Sequence, residues 1–339
     1  MSLVLRPIVN GAGFIVEGLA WVDSSRYGRQ AISWTLETVS LTRLGGVKPG
    51  RMGIFAGALS AQPAAVQRAV AAEAEKLGFG TLWYGEAMAR EAFVQASIFL
   101  DATSSLVIAS GIANIWARDP MAMAAGGRAL AEAWPDRFIL GLGVSHSPMV
   151  AARGHDYARP LSAMRDYLDG MAQAPWRGPE AHPPPLVLAA LGPRMVALAA
   201  ERTAGAYPYF TTAEHIAQVR EQLGREPFLA ADLPVVLATG RGEARMIGDA
   251  HTKVYLGIEN YRNNLLRLGW TAADLEPPGS DKLFDAIVAW GDVAAVRDRV
   301  QGLFDAGADQ VVLNLVTSDR SVPYLPELRI LASLNSAEN

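Results

Sequence analysis

The chain has 339 residues, half of them hydrophobic and 19% charged, which excludes a disordered chain and leaves room for one large domain or two ordinary ones. Thirty basic against 34 acidic side chains give a net charge of −4, so the charge balance recruits neither nucleic acid nor an anionic membrane. Cysteine is absent, which removes disulfides, thiolate catalysis and Cys-ligated zinc together and fits a cytoplasmic protein.

Residues 1–47 carry no element that patterning places. They read as a poorly ordered N-terminal extension or an over-long start of translation, with an ordered arm at a subunit interface as the alternative. Arg6, Pro7, Asn10 and Glu17 interrupt the early apolar run, so a signal peptide is not expected. No run reaches the roughly 18 apolar residues of a membrane span.

Residues 51–59 (RMGIFAGAL) form the first strand. Ser60 as cap and Pro63 in the first turn then open a helix on which Val66, Val70, Ala74 and Leu77 recur at helical spacing, closed by Gly78. A strand at 81–84 runs into Gly85-Glu86, and 92–100 is helical. Residues 106–109 are short, apolar and partly β-branched, as in a strand covered on both faces, and Gly111 ends it. Asp119 caps the next helix with Pro120 in its first turn, where a missing N–H costs nothing. Residues 138–144 return as a buried strand and open into Ser145-His146-Ser147. Later strands are expected at 186–191, 206–210, 234–238 and 310–316, with helices between them and one long helical region at about 242–268.

Eight strands in strict alternation with helices predict a parallel sheet covered by helices, and eight such units close a (β/α)8 TIM barrel. An open doubly wound sheet is the competitor. The barrel domain is expected to span 48–334, with insertions after the fourth and seventh strands. Barrel sites lie at C-terminal strand ends. Those ends are 85–86, 111–114, 143–146, 191–193 and 207–210, and four of the five contain glycine. Glycine there reads either as turn chemistry or as backbone lying close to a flat ligand.

Several familiar chemistries are missing. Residues 141–146 (GLGVSH) begin like a dinucleotide fingerprint, but His146 stands where the third glycine belongs. There is no phosphate loop, no nucleophile elbow and no paired metal-ligand spacing among His146, His155, His182, His215 and His251. His182 and His251 read as solvated. His146 alone sits at a strand end, as either a site residue or a structural one. With so few titratable groups at the rim, an organic cofactor is expected to supply the reactivity.

Read in order, the segments 78–86 (GFGTLWYGE), 109–120 (ASGIANIWARDP), 137–146 (RFILGLGVSH), 190–210 (ALGPRMVALAAERTAGAYPYF) and 305–313 (DAGADQVVL) resemble the luciferase-like monooxygenase superfamily. Within it they resemble the actinobacterial deazaflavin (coenzyme F-420)-dependent oxidoreductases. The resemblance implies a metal-free barrel of bacterial-luciferase type holding F-420, or alternatively FMN, across its C-terminal mouth. It implies a non-prolyl cis bond at Gly111-Ile112 against the ring and Asn114 beside the ring pocket. It places Gly141, Gly143, Ser145 and His146 near the cofactor, with Leu191-Gly192-Pro193 at the phosphate. A helix N-terminus suits an anion, although Gly192-Pro193 also reads as a plain helix start. Glu86 matches a position where relatives carry an acid–base residue, the alternative being a solvated or Arg-paired rim carboxylate. Arg118 or Arg194 would then be its partner or a phosphate contact, and Tyr209 a cofactor neighbour. The polar cluster 260–264 (NYRNN) reads first as a solvated helix face and second as a substrate-side lid. The expected function is hydride transfer between F-420 and a small organic substrate in a cytoplasmic homodimer. An FMN-dependent oxygenase with a partner reductase and a non-catalytic flavin-binding protein are the alternatives.

Overall fold

A computed structural model describes residues 3–10, 13–24, 28–36, 44–318 and 325–338, with side chains described over 44–318 and 325–335. The chain divides into a unit of residues 1–41 and a unit of residues 42–339. In the first, β1 (Leu3–Asn10), β2 (Gly13–Ser24) and β3 (Gly28–Leu36) form an antiparallel sheet in the order β1-β2-β3. Sequence patterning placed no element there.

The second unit begins with β4 (Met52–Phe55), α1 (Ala64–Lys76), β5 (Thr81–Tyr84), α2 (Ala92–Asp101) and β6 (Val107–Ser110). Then come β7 (Ala113–Asn114), α3 (Pro120–Ala133), β8 (Phe138–Gly143), α4 (Ser147–Ala151), α5 (Pro160–Ala172), β9 (Leu186–Leu188), α6 (Pro193–Arg202) and β10 (Gly205–Ala206). It continues with α7 (Ala213–Leu223), β11 (Phe228–Leu237), α8 (Arg241–Leu256), α9 (Glu259–Arg267), α10 (Asp281–Ile287), β12 (Ala289–Gly291), α11 (Val293–Asp305), β13 (Gln310–Leu315) and α12 (Leu325–Leu331). Eight strands pair in parallel in the order β4-β5-β6-β8-β9-β10-β11-β13, and β13 pairs with β4 to close the ring. The fold is a (β/α)8 barrel.

The period-2 alternation of the strands sorts their side chains between two cores. Trp83, Ala109, Ile139, Val187, Tyr207, Ala230 and Val312 fill the barrel interior. Their neighbours Leu82, Tyr84, Ile108, Leu140, Leu188, Ala231 and Leu313 face the helical shell. A third cluster joins Phe210, after β10, and Val236, on β11, to Leu256, Leu265, Leu275 and Phe284 of the insertion between β11 and β13. That insertion therefore has packed support.

The helix caps follow the sequence closely. Asp119 accepts from the Ala122 N–H and Asp292 from Ala295, each satisfying an orphan first-turn donor. Three local expectations are corrected. Ser60 does not cap α1; it lies in a 3-10 turn at Gly57–Ala61, its hydroxyl donates to the Gly57 carbonyl, and Pro63 precedes the helix. The helical region at 242–268 is two helices, broken at Gly257-Ile258. The seventh strand starts at Phe228 and not at Pro234. Asp232 and Pro234 argue against a central strand, yet the Asp232 side chain is buried and Pro234 pairs in register with Asn314.

Candidate active site

At the C-terminal mouth of the barrel, the strand ends and the insertion helices enclose a cavity of about 930 Å³. Glu86, Gly111, Ile112, Gly143, Ser145, His146, Leu191, Gly192 and Tyr209 border it. Asn114, Gly141, Pro193 and Arg194 were expected there and lie outside its wall. Asn114 is buried, with its side-chain oxygen accepting from the Trp116 N–H. Arg194 is exposed on α6.

One wall is made by the chain between β6 and β7. The Gly111-Ile112 peptide bond is cis. Pairing of β6 with β8 stops at Ala109, and β7 resumes it at Ala113. Across the gap, the Ser110 hydroxyl donates to the Gly141 carbonyl and accepts from the Gly141 N–H, both at 2.9 Å, replacing the missing ladder bonds. A Cβ on Gly141 would lie 1.8 Å from the Ser110 carbonyl oxygen. On Gly111 it would meet Tyr207 at 2.8 Å, and on Gly143 it would meet Ile112 at 2.6 Å. Each of these glycines makes room for a close contact within the protein itself, a third reason beside turn chemistry and ligand approach.

Glu86 locks this wall. Its N–H donates to the Ile112 carbonyl at 3.0 Å. Its carboxylate accepts from the Asn114 N–H at 2.8 Å and the Ala92 N–H at 3.1 Å, and pairs with the Arg118 guanidinium. The two side chains are only 2% and 9% exposed, and Arg118 also reaches Glu91 at 2.8 Å. Arg118, not Arg194, is therefore the partner of Glu86. Both carboxylate oxygens are engaged in holding the loop, which is the Arg-paired alternative of the sequence reading.

The opposite end is electropositive. Gly192 stands at the N-cap of α6, whose first turn has no side-chain cap. The Arg267 guanidinium hangs over it, since a Cβ on Gly192 would come within 3.3 Å of Nη1. Arg267 also donates to the Asn264 side-chain oxygen. His215 steadies the turn by contacting the Leu191 carbonyl through Nε2 at 2.9 Å. Burial pushes the His215 imidazole below its ordinary pKa, against the hydrogen bond to Leu191 and with help from the charge of Arg267. Helix dipole and guanidinium together suit an anionic group, so the residues present fit a phosphate-bearing cofactor.

Between these ends lies an aromatic wall. The Asn314 side-chain N–H donates to the Tyr209 hydroxyl at 2.7 Å, and that hydroxyl lies 2.8 Å from the Tyr255 hydroxyl. Tyr261 packs against Tyr209, Tyr255, Phe210 and His146. The imidazole of His146 lies with Nδ1 3.2 Å from the Asn260 side-chain oxygen, and burial holds its pKa below the ordinary value, opposed by that bond. Ser145 sits in the left-handed region at φ 59°, and its carbonyl accepts from the Tyr157 hydroxyl.

Two sequence expectations change here. His251 is buried against Phe210 and Tyr255 and borders the cavity, so it is not solvated. Within 260–264, Asn260, Tyr261 and Asn263 border the cavity, which is the second reading of that cluster. Arg267, Tyr255 and Asn314 were missed altogether, and Asn260 was singled out only as part of that cluster. The one available signal was the helical spacing of Tyr261 and Leu265 on α9, which marks a buried face without showing what that face would meet.

Comparison with known proteins agrees with the barrel fold. The family model described as luciferase-like monooxygenase matches residues 51–310. Rv3520c of Mycobacterium tuberculosis, whose name assigns it provisionally to the coenzyme F-420-dependent oxidoreductases, is 26% identical over 337 residues, covering 80% of this chain and 96% of that protein. The coenzyme F-420-dependent tetrahydromethanopterin reductase of Methanopyrus kandleri superposes with a TM-score of 0.65 at 15% identity, covering 84% of this chain and 98% of that one. The oxygenating constituent of 3,6-diketocamphane monooxygenase from Pseudomonas putida, in complex with FMN, superposes with a TM-score of 0.63 at 13% identity, covering 86% and 98%. The closed eight-stranded barrel and the match over 51–310 lead to one conclusion: the chain belongs to the luciferase-like monooxygenase family.

Proposed function

We propose that this protein is a coenzyme F-420-dependent oxidoreductase acting on a small organic substrate. The observation that carries the reading is the pairing, within one cavity, of the closely packed wall at Gly111-Ile112 with the uncapped α6 turn under Arg267. The name of the mycobacterial relative supports the choice of cofactor. Leu191, Gly192 and Arg267 would hold its phosphate, and Ile112, Gly143 and Ser145 would face its ring. A bound deazaflavin supplies two-electron chemistry as hydride transfer. The chain's own part is to orient both reactants, exclude water and handle the accompanying proton, a role we assign to His146. Glu86 acts as the clamp of the ring wall. The apolar side chains of the insertion give the substrate its seat. A cytoplasmic homodimer is the expected working form; no described helix is long and apolar enough to cross a membrane.

An FMN-dependent oxygenase is the second reading, favoured by the FMN complex of the Pseudomonas neighbour. Anaerobic mixing of the protein with reduced F-420 and a panel of small carbonyl and unsaturated compounds separates the two. Oxidation of the coenzyme without oxygen supports the proposal. Turnover only with reduced FMN and oxygen replaces it.

A further inference from the structure

We propose that Asn260 is a positioning residue that fixes His146 in the Nδ1–H tautomer, leaving Nε2 as the proton acceptor on the cavity wall. The inference rests on the reading of this cavity as the reaction site. His146 leaves the end of β8, while Asn260 arrives on α9, 114 residues later, and the two meet at 3.2 Å. A side-chain amide oxygen accepts and cannot donate, so Nδ1 must carry the hydrogen in a neutral ring. Both side chains border the same cavity. Tyr261, the next residue on α9, packs its ring 5.4 Å from the imidazole and fixes the second axis of the ring plane.

The choice of amide over carboxylate has a chemical consequence. An aspartate at this position would favour the imidazolium form and fill the Nε2 lone pair with a proton. Asn260 orients the ring without doing so, and burial works in the same direction. Of the other titratable neighbours, Glu259, beside Asn260 at the start of α9, is exposed and accepts from the Asn263 side chain at 3.5 Å. Tyr157, beside Ser145, and Tyr261 are held protonated by burial. Tyr255 and His251 face the cavity from α8, Glu86 is paired with Arg118, and Arg267 is turned to Asn264. The connection between β11 and β13 thus contributes a substrate wall and, through one residue, the protonation geometry of a group on the opposite side of the barrel mouth.

The test uses the full-length, cofactor-free protein labelled with 15N-histidine and read by two-bond 1H–15N correlation, with His146 identified by comparison with His146→Gln. Nδ1–H is expected in the wild type. Asn260→Leu removes the acceptor, and the population is expected to move toward Nε2–H. Asn260→Asp should keep Nδ1–H and raise the pKa of His146 by about one unit or more. In turnover assays the pH limb that reports His146 should move upward by the same amount in Asn260→Asp. An Nε2–H tautomer in the wild type, or a spectrum unchanged by Asn260→Leu, overturns the proposal. Failure of F-420 to bind, with the tautomer as expected, would count against the proposed function and leave this inference standing.

Discussion

Replacing Glu86 with Gln should destabilise the protein by about 3 kcal/mol, because the side chain is a clamp with no spare acceptor. One carboxylate oxygen accepts from Asn114 and the other from Ala92 and Arg118. A glutamine has one oxygen and must turn an NH2 group toward one of these donors. Leaving a buried donor unsatisfied costs about 1–3 kcal/mol. Breaking a buried ion pair costs about 3–5 kcal/mol when no partner remains, but Arg118 keeps Glu91, which is 43% exposed and weakens that part of the loss. Arg118→Met should cost a similar amount for the opposite reason, since the carboxylate stays buried with two backbone donors only. The double variant should lose clearly less than the sum, with a coupling of about 1–2 kcal/mol. Urea unfolding of the four proteins, followed by far-UV circular dichroism, measures all of this. A loss below about 1 kcal/mol for Glu86→Gln, with additive behaviour in the double variant, would refute the clamp.

Arg267→Met should weaken binding of an anionic cofactor about 10- to 100-fold, the worth of one charge-assisted contact, and titration at fixed salt checks it. Gly192→Val should act through the same guanidinium, which a side chain at this turn would displace. Gly141→Ala places a methyl 1.8 Å from the Ser110 carbonyl oxygen and should destabilise the barrel by about 3 kcal/mol, read from the shift in urea midpoint. His215 predicts a pH dependence of stability. Between its depressed native pKa and 6.5 the unfolded chain holds a proton that the folded imidazole does not, so stability rises with pH across that window and is level above it. His215→Gln should flatten that part of the curve in a pH series of urea titrations.

The barrel was legible because buried parallel strands are short apolar runs separated by capped helices, as with Asp119-Pro120 before α3 and Asp292 before α11. Gly111, Gly143 and Gly192 were legible as site neighbours because strand ends in a barrel share one face. What escaped was everything set by tertiary contact. Asp232 and Pro234 look wrong for a central strand until the barrel closes around them. Arg267 and Asn260 look like an ordinary polar helix face until the insertion folds over the mouth. His251, placed in solvent by its neighbours in sequence, is buried by Phe210 and Tyr255, which reach it through the fold. The three N-terminal strands had period-2 segments too, but Pro7 and scattered polar residues blurred them.

The central claim is that the cavity holds a deazaflavin through the α6 turn and Arg267. Parallel equilibrium titrations of the purified protein with F-420 and with FMN, repeated for Arg267→Met, test it most directly. The account predicts tight F-420 binding, much weaker FMN binding, and a roughly 10- to 100-fold loss for the variant. Binding of FMN in preference to F-420 would contradict the proposed cofactor, and F-420 affinity unaffected by Arg267→Met would contradict the anion site.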